Sequence, residues 1–121
     1  MILAVLVGLG AGVVLGLALN IGYPVEYSFY ITMALLAALD SIFGAVKSQM
    51  QGNYNTLIFL SGFVTNALLA ALLAFLGDKL GIPLYYAAIL VFGGRLFNNI
   101  AIIRRLLIER FFLKKNQKSD N

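Results

Sequence analysis

Four long apolar stretches follow one another along the chain, separated by short polar breaks. No charged side chain occurs in residues 1–25, 48–77 or 80–94. Runs of about 18 or more apolar residues are typical of membrane-spanning helices, because about 20 residues at about 1.5 Å each cross a hydrocarbon core of about 30 Å. Each break contains glycine with proline or asparagine, which are residues that end helices. The pattern predicts four transmembrane helices.

These helices account for nearly the whole chain. The predicted spans are about residues 2–19, 26–47, 56–76 and 84–105. They form one transmembrane domain, residues 1–113, which we expect to be arranged as two hairpins, followed by a basic polar tail, residues 114–121, which we expect to be disordered. A cleaved signal peptide is the alternative for the first span, but that span lacks the basic residues that usually precede such a segment. The predicted fold class is an all-α membrane protein.

Composition supports a lipid environment. Of the 121 residues, 61% are hydrophobic and 12% are charged, whereas about a quarter of the residues in a soluble domain are charged. The mean hydropathy is +0.92. The formal net charge of +4 is better explained by the membrane than by nucleic acid, because no nucleic-acid-binding motif is present.

The distribution of charge predicts the orientation of the spans. Six cations follow the fourth span, namely Arg104, Arg105, Arg110, Lys114, Lys115 and Lys118. The opposite side has only Lys79, offset by two acidic residues, and five tyrosines that favour the membrane interface: Tyr23, Tyr27, Tyr30, Tyr85 and Tyr86. Cytoplasmic loops are rich in Lys and Arg, so we expect both termini in the cytoplasm. The six cations either contact anionic lipids or a partner, or only fix the topology.

Two charged residues interrupt the spans. Asp40 lies about seven residues from the cytoplasmic end of the second span, and Arg95 lies about nine from that of the fourth, so their depths differ by only about 3 Å. Buried charges in membranes normally pair. We therefore predict an Asp40–Arg95 ion pair within a polar network that also contains Asn66, Asn98 and Asn99. The network either sets helix register or makes Asp40 a proton or cation site, and the arginine partner disfavours protonation.

Small residues recur on the first span. Gly8, Gly12 and Gly16 are four residues apart, which predicts a smooth face where another helix packs closely, either within the chain or in a homodimer. The sequences GYPVEY (22–27) and GIPLYY (81–86) are also alike. A shift of 59 residues superposes the first half on the second and Asp40 on Asn99, which indicates a pseudo-twofold axis or a coincidence of similar loops.

Catalysis has little support. The chain contains no Cys and no His, so thiolate nucleophiles and the commonest metal ligands are missing. No phosphate-binding or nucleophile motif occurs. We expect no catalytic residue, no metal and no cofactor.

Several motifs resemble one family. EYS, LAALDS, FLSGF, FGGRLFNNIAIIRR and the lysine-rich end are similar to the bacterial small basic proteins. Matching positions are Glu26, Asp40, Gly62, Arg95, Asn99, Arg104 and Arg105. The resemblance implies a multi-pass protein of the bacterial cytoplasmic membrane, of uncharacterised function and often encoded beside cell-division genes.

Two functions remain open. One is a non-enzymatic scaffold or accessory factor in cell division or envelope assembly, which binds another membrane protein or a second copy of itself. The alternative is a small dimeric ion channel or transporter built around Asp40, Arg95 and the asparagines.

The orientation is testable by cysteine labelling. Because the chain has no native cysteine, Gly22→Cys and Asn121→Cys each add a single reactive thiol. In intact cells an impermeant maleimide should label Gly22→Cys but not Asn121→Cys. Equal labelling of the two variants would contradict the predicted topology.

Overall fold

The computed structural model describes residues 1–22 and 24–120, so the predicted interfacial residue Tyr23 and the terminal Asn121 lie outside the described part. The helices are α1 (Ile2–Leu19), α2 (Ser28–Met50), α3 (Thr56–Leu80) and α4 (Tyr85–Ile108). A 3₁₀ turn (Val25–Tyr27) precedes α2, and α4 continues through a π-helical turn (Glu109–Leu113) into α5 (Lys114–Ser119). Over these residues the chain has no β-strand. The described chain is all-helical, as predicted, and four of its helices are long and apolar enough to cross a membrane.

The helix ends follow from local chemistry. Asn55 caps α3 at its start, because its side-chain oxygen accepts a hydrogen bond from the Ile58 amide at 3.1 Å. Gly81 ends α3 with a φ of 67°, a left-handed conformation that glycine adopts without strain. The helices α2 and α3 run a few residues beyond the predicted spans, to Met50 and Leu80.

The tail differs from expectation. We expected residues 114–121 to be disordered, whereas Lys114–Ser119 is helical and continues the helix that starts at Tyr85. The reason lies in the sequence: residues 109–119 contain no Gly or Pro to stop the helix.

The helix α2 is the centre of the packed unit. It packs against both α3 and α4, while α3 and α4 contact each other much less. The core consists of Met33 and Ala37 from α2, Ala70 from α3, and Ala88 and Phe92 from α4. Alanine at these crossings lets the helix backbones approach, which is how helices gain packing energy in lipid.

The helix α1 stands apart from this unit. It has no buried residue, and a Cβ built on Gly8, Gly12 or Gly16 would meet no atom within 4 Å. Its first residues share a groove with Met50 and Arg110, so Met1 lies at the same end of the bundle as the tail. The structure therefore does not pair the glycine face with another helix of the chain, and α1 and α2 do not form a tightly packed hairpin.

The link between α3 and α4 gives a stability prediction. A Cβ on Gly77 would lie 2.6 Å from the Ile82 carbonyl oxygen and 3.2 Å from the Leu84 nitrogen. Because backbone must then move, Gly77→Ala should lower the free energy of unfolding by about 1–3 kcal/mol, as overpacking does. The control is Gly62→Ala, whose methyl would meet nothing within 4 Å. Thermal unfolding in mild detergent measures both, and equal stability would contradict the close approach.

Candidate functional site

Asp40 occupies the interface between α2 and α4. It is only 1% exposed and lies near the middle of α2, one of the candidate membrane-spanning helices. Small residues flank it by one turn on the same face of α2, Ala37 before it and Gly44 after it. A Cβ on Gly44 would lie 3.5 Å from the Asn99 side-chain nitrogen. These small residues allow α4 to come close enough to reach the carboxylate.

Two side chains of α4 contact this carboxylate. Arg95 Nη2 lies 3.3 Å from Asp40 Oδ2, and Asn99 Nδ2 donates a hydrogen bond to Asp40 Oδ1 at 3.4 Å. Arg95 and Asn99 are four residues apart and therefore lie on one helix face. The Oδ2 atom has no hydrogen-bond partner within the described chain, so its contact with Arg95 is one of charge. The carboxylate is thus neutralised by one side chain and oriented by the other.

The two ends of the ion pair differ in exposure. The Asp40 side chain is fully buried, whereas the Arg95 side chain is 55% exposed. Arg95 lines a groove of about 320 Å³ between α3 and α4, together with Asn66 and apolar residues. It is ten residues after Tyr85 and nine before Arg104, or about 15 Å and 14 Å along the axis. Arg95 therefore lies near the middle of α4, which belongs to the fourth candidate membrane span.

The structure brings together only part of the predicted network. Asp40, Arg95 and Asn99 meet. Asn66 is half-buried on α3 and lines the Arg95 groove instead of contacting Asp40. Asn98 is exposed on the outer face of α4, since one residue turns a helix by about 100° away from Asn99.

The internal repeat in the sequence relates two residues of this site. Asp40 and Asn99 are equivalent under the 59-residue shift, and they form a hydrogen bond with each other. Equivalent positions meet in this way when they lie near a twofold axis. The first helix of each half, α1 and α3, does not follow this relation. The helix α3 packs against α2, whereas α1 packs against neither α2 nor α4 along its length.

Two contacts between helix ends were missed by the sequence analysis. Arg110 donates a hydrogen bond to the Met50 carbonyl oxygen at 3.0 Å, so one of the six cations of the tail ties α2 to the extended α4. The other five are exposed: Arg104, Arg105, Lys114, Lys115 and Lys118. At the opposite end, the Tyr30 hydroxyl donates to the Asp78 carboxylate and links α2 to α3. No spacing rule in the sequence indicates either contact.

The unequal exposure of the ion pair predicts unequal mutational effects. Arg95→Gln strands a buried carboxylate, which typically costs about 3–5 kcal/mol. Asp40→Asn should cost less, because the long Arg95 side chain can extend along the helix toward the polar membrane surface, whereas the short, buried carboxylate cannot. The double variant should recover part of the summed losses, as coupled residues require.

A double-mutant cycle on unfolding in mild detergent measures these losses, with Lys118→Gln, which removes an exposed cation of α5, as the control. Strictly additive losses would contradict the contact between Asp40 and Arg95. A larger loss for Asp40→Asn than for Arg95→Gln would contradict the burial of the carboxylate beside a half-exposed guanidinium.

Comparisons with known proteins agree with the motifs in the sequence. A family model described as a protein of unknown function (DUF1290) matches residues 23–108. The small basic protein of Bacillus subtilis is 48% identical over 113 residues, which is 93% of each chain. An uncharacterised protein of Mycobacterium tuberculosis is 40% identical over 101 residues, covering 82% of this chain and 84% of that one. No solved structure matches. The chain therefore belongs to the DUF1290 family of small basic proteins, as its motifs predicted.

Proposed function

We propose that this protein is a non-enzymatic scaffold or accessory factor of the bacterial cytoplasmic membrane, with both termini in the cytoplasm. The observation that supports this proposal most strongly is the exposure of α1. An entire membrane-spanning helix has no buried residue, and its glycine face is open along its length. A smooth face of this kind permits close packing with a helix of another protein.

The centre of α2–α4 supports a structural role for the polar residues. A proton or cation site must exchange with water, but Asp40 is 1% exposed and is contacted by Arg95 and Asn99. These features favour a rigid α2–α4 unit over the alternative of a dimeric channel or transporter.

The gene neighbourhood implied by the family resemblance favours a role in cell division or envelope assembly. Five exposed cations near the end of α4 and in the tail suit contact with anionic lipids or with an acidic cytoplasmic surface. In this proposal α1 binds the membrane partner, while the basic end keeps the tail at the inner leaflet.

Site-specific photo-crosslinking in growing cells tests the role of α1. A photoreactive residue replacing Leu15, which is 58% exposed at the edge of the glycine face, should give a defined product with another membrane protein and leaves all three glycines in place. The same residue replacing Val14, which is 65% exposed on the far side of α1, should give little of that product. Gly16→Leu should reduce the Leu15 product several-fold, because it blocks the close approach, without lowering the thermal stability of the purified chain.

Ion flux into liposomes tests the alternative. The purified protein should not raise flux above that of empty liposomes. Flux that Asp40→Asn abolishes, in a variant that still folds, would overturn the scaffold proposal. Equal photoproducts from positions 15 and 14 would also contradict it, since the glycine face would then face lipid.

A further inference from the structure

One face of α4 carries a regular row of exposed positions, of which the first two, Ala87 and Val91, also border the groove between α3 and α4. These positions, here called the α4 seam, are Ala87, Val91, Gly94, Asn98, Ala101 and Arg105, and all six are exposed. Their spacing alternates between four and three residues. Since an α-helix turns by about 100° per residue, they fall within an arc of about 80°. A mean spacing of about 3.5 residues is the pattern of two helices that coil around each other with a left-handed twist.

The residue types in the seam also follow this repeat. Ala87, Gly94 and Ala101 are small and lie seven residues apart, alternating with the larger Val91, Asn98 and Arg105. Small side chains at every second seam position let two backbones approach, which strengthens packing between helices in lipid. The face is therefore shaped for a helix and not only for acyl chains.

Asn98 makes a lipid-facing seam unfavourable. It lies three residues after Arg95, about 4.5 Å further along a helix axis, and its amide is exposed near the middle of the hydrocarbon region. Lipid tails offer neither donors nor acceptors, so an amide left unpaired there costs free energy. The helix that covers the seam must bring a polar group to the same depth.

The helix α1 does not meet this requirement. Its residues 2–19 contain no polar side chain, and its first residues approach Leu107 and Arg110, which lie on another side of the extended α4. A second copy of the chain does meet the requirement. In the same membrane orientation its own Asn98 arrives at the same depth, and an amide both donates and accepts hydrogen bonds.

We propose that the α4 seam is the interface of a parallel homodimer, whose twofold axis runs along the membrane normal and brings the Asn98 amides of the two copies into hydrogen-bond contact. A single asparagine in such a seam fixes register and favours pairing. The pairing also brings the Arg105 side chains of the two copies to one depth, where the exposed Glu109 of each copy, one turn further on, supplies the opposite charge. Arg95, beside the seam, is also brought nearer to protein and away from lipid.

The dimer does not depend on the proposed scaffold function, because that function uses α1 and the dimer uses α4. The two are also tested at different positions. Absence of the Leu15 photoproduct would leave the seam proposal unaffected, and a monomeric α4 would leave the role of α1 unaffected.

Disulfide crosslinking of the full chain tests the seam, since the protein has no native cysteine. Val91→Cys and Ala101→Cys should each give a disulfide dimer on mild oxidation, both in native membranes and in liposomes that contain only the purified protein. The control is Ile100→Cys, which neighbours Ala101 at nearly the same depth and is 41% exposed on another face of α4. It should crosslink at least several-fold less.

The role of Asn98 is tested in the Ala101→Cys background. Asn98→Leu should reduce the yield of disulfide dimer several-fold, whereas Asn98→Gln keeps an amide and should retain most of it. Equal crosslinking of Ala101→Cys and Ile100→Cys would overturn the proposal. So would an Ala101→Cys chain that stays monomeric in liposomes, or one that crosslinks in cells only to a different protein, because the seam would then have another occupant.

Discussion

A carboxylate within the hydrocarbon core of a membrane needs a counter-charge and hydrogen-bond donors, and the arrangement around Asp40 meets that need. The residue is in the middle of α2, and both of its contacts come from one face of α4. This requirement fixes the rotation and the depth of α4 relative to α2, because a shift by one residue would move Arg95 and Asn99 off the facing surface. The apolar core that involves Met33, Ala88 and Phe92 then packs in the same register.

The rest of the bundle is stabilised by close packing between helices. Hydrocarbon tails are as apolar as leucine, so helices in lipid gain little from hydrophobic burial and depend on contact between backbones and small side chains. Alanine at positions 37, 70 and 88 supplies that contact in α2–α4, and Gly77 allows the link before α4 to turn back closely. In contrast, α1 has suitable glycines but no surface of the same chain against them.

Three features point outward from this unit and define what it offers to other molecules. The glycine face of α1 is smooth and wholly apolar, the α4 seam combines small residues with an amide at mid-depth, and the end of the chain is basic. We propose that they serve, respectively, close helix packing, symmetric pairing of amides, and attraction to negative charge.

Much of this was determined by the sequence alone. Charge-free stretches of the length of a bilayer dictate spanning helices, because an unpaired backbone is too costly in lipid. Similar depths for Asp40 and Arg95 indicated that they meet, since an unpaired charge would be costly there. Depth, however, is measured along the helix axis, and direction around the axis depends on which helices are neighbours. Only the tertiary structure could therefore decide that Asn99 faces Asp40 while Asn98 faces outward, that Arg95 is half exposed, and that the glycines of α1 contact no other helix of the chain.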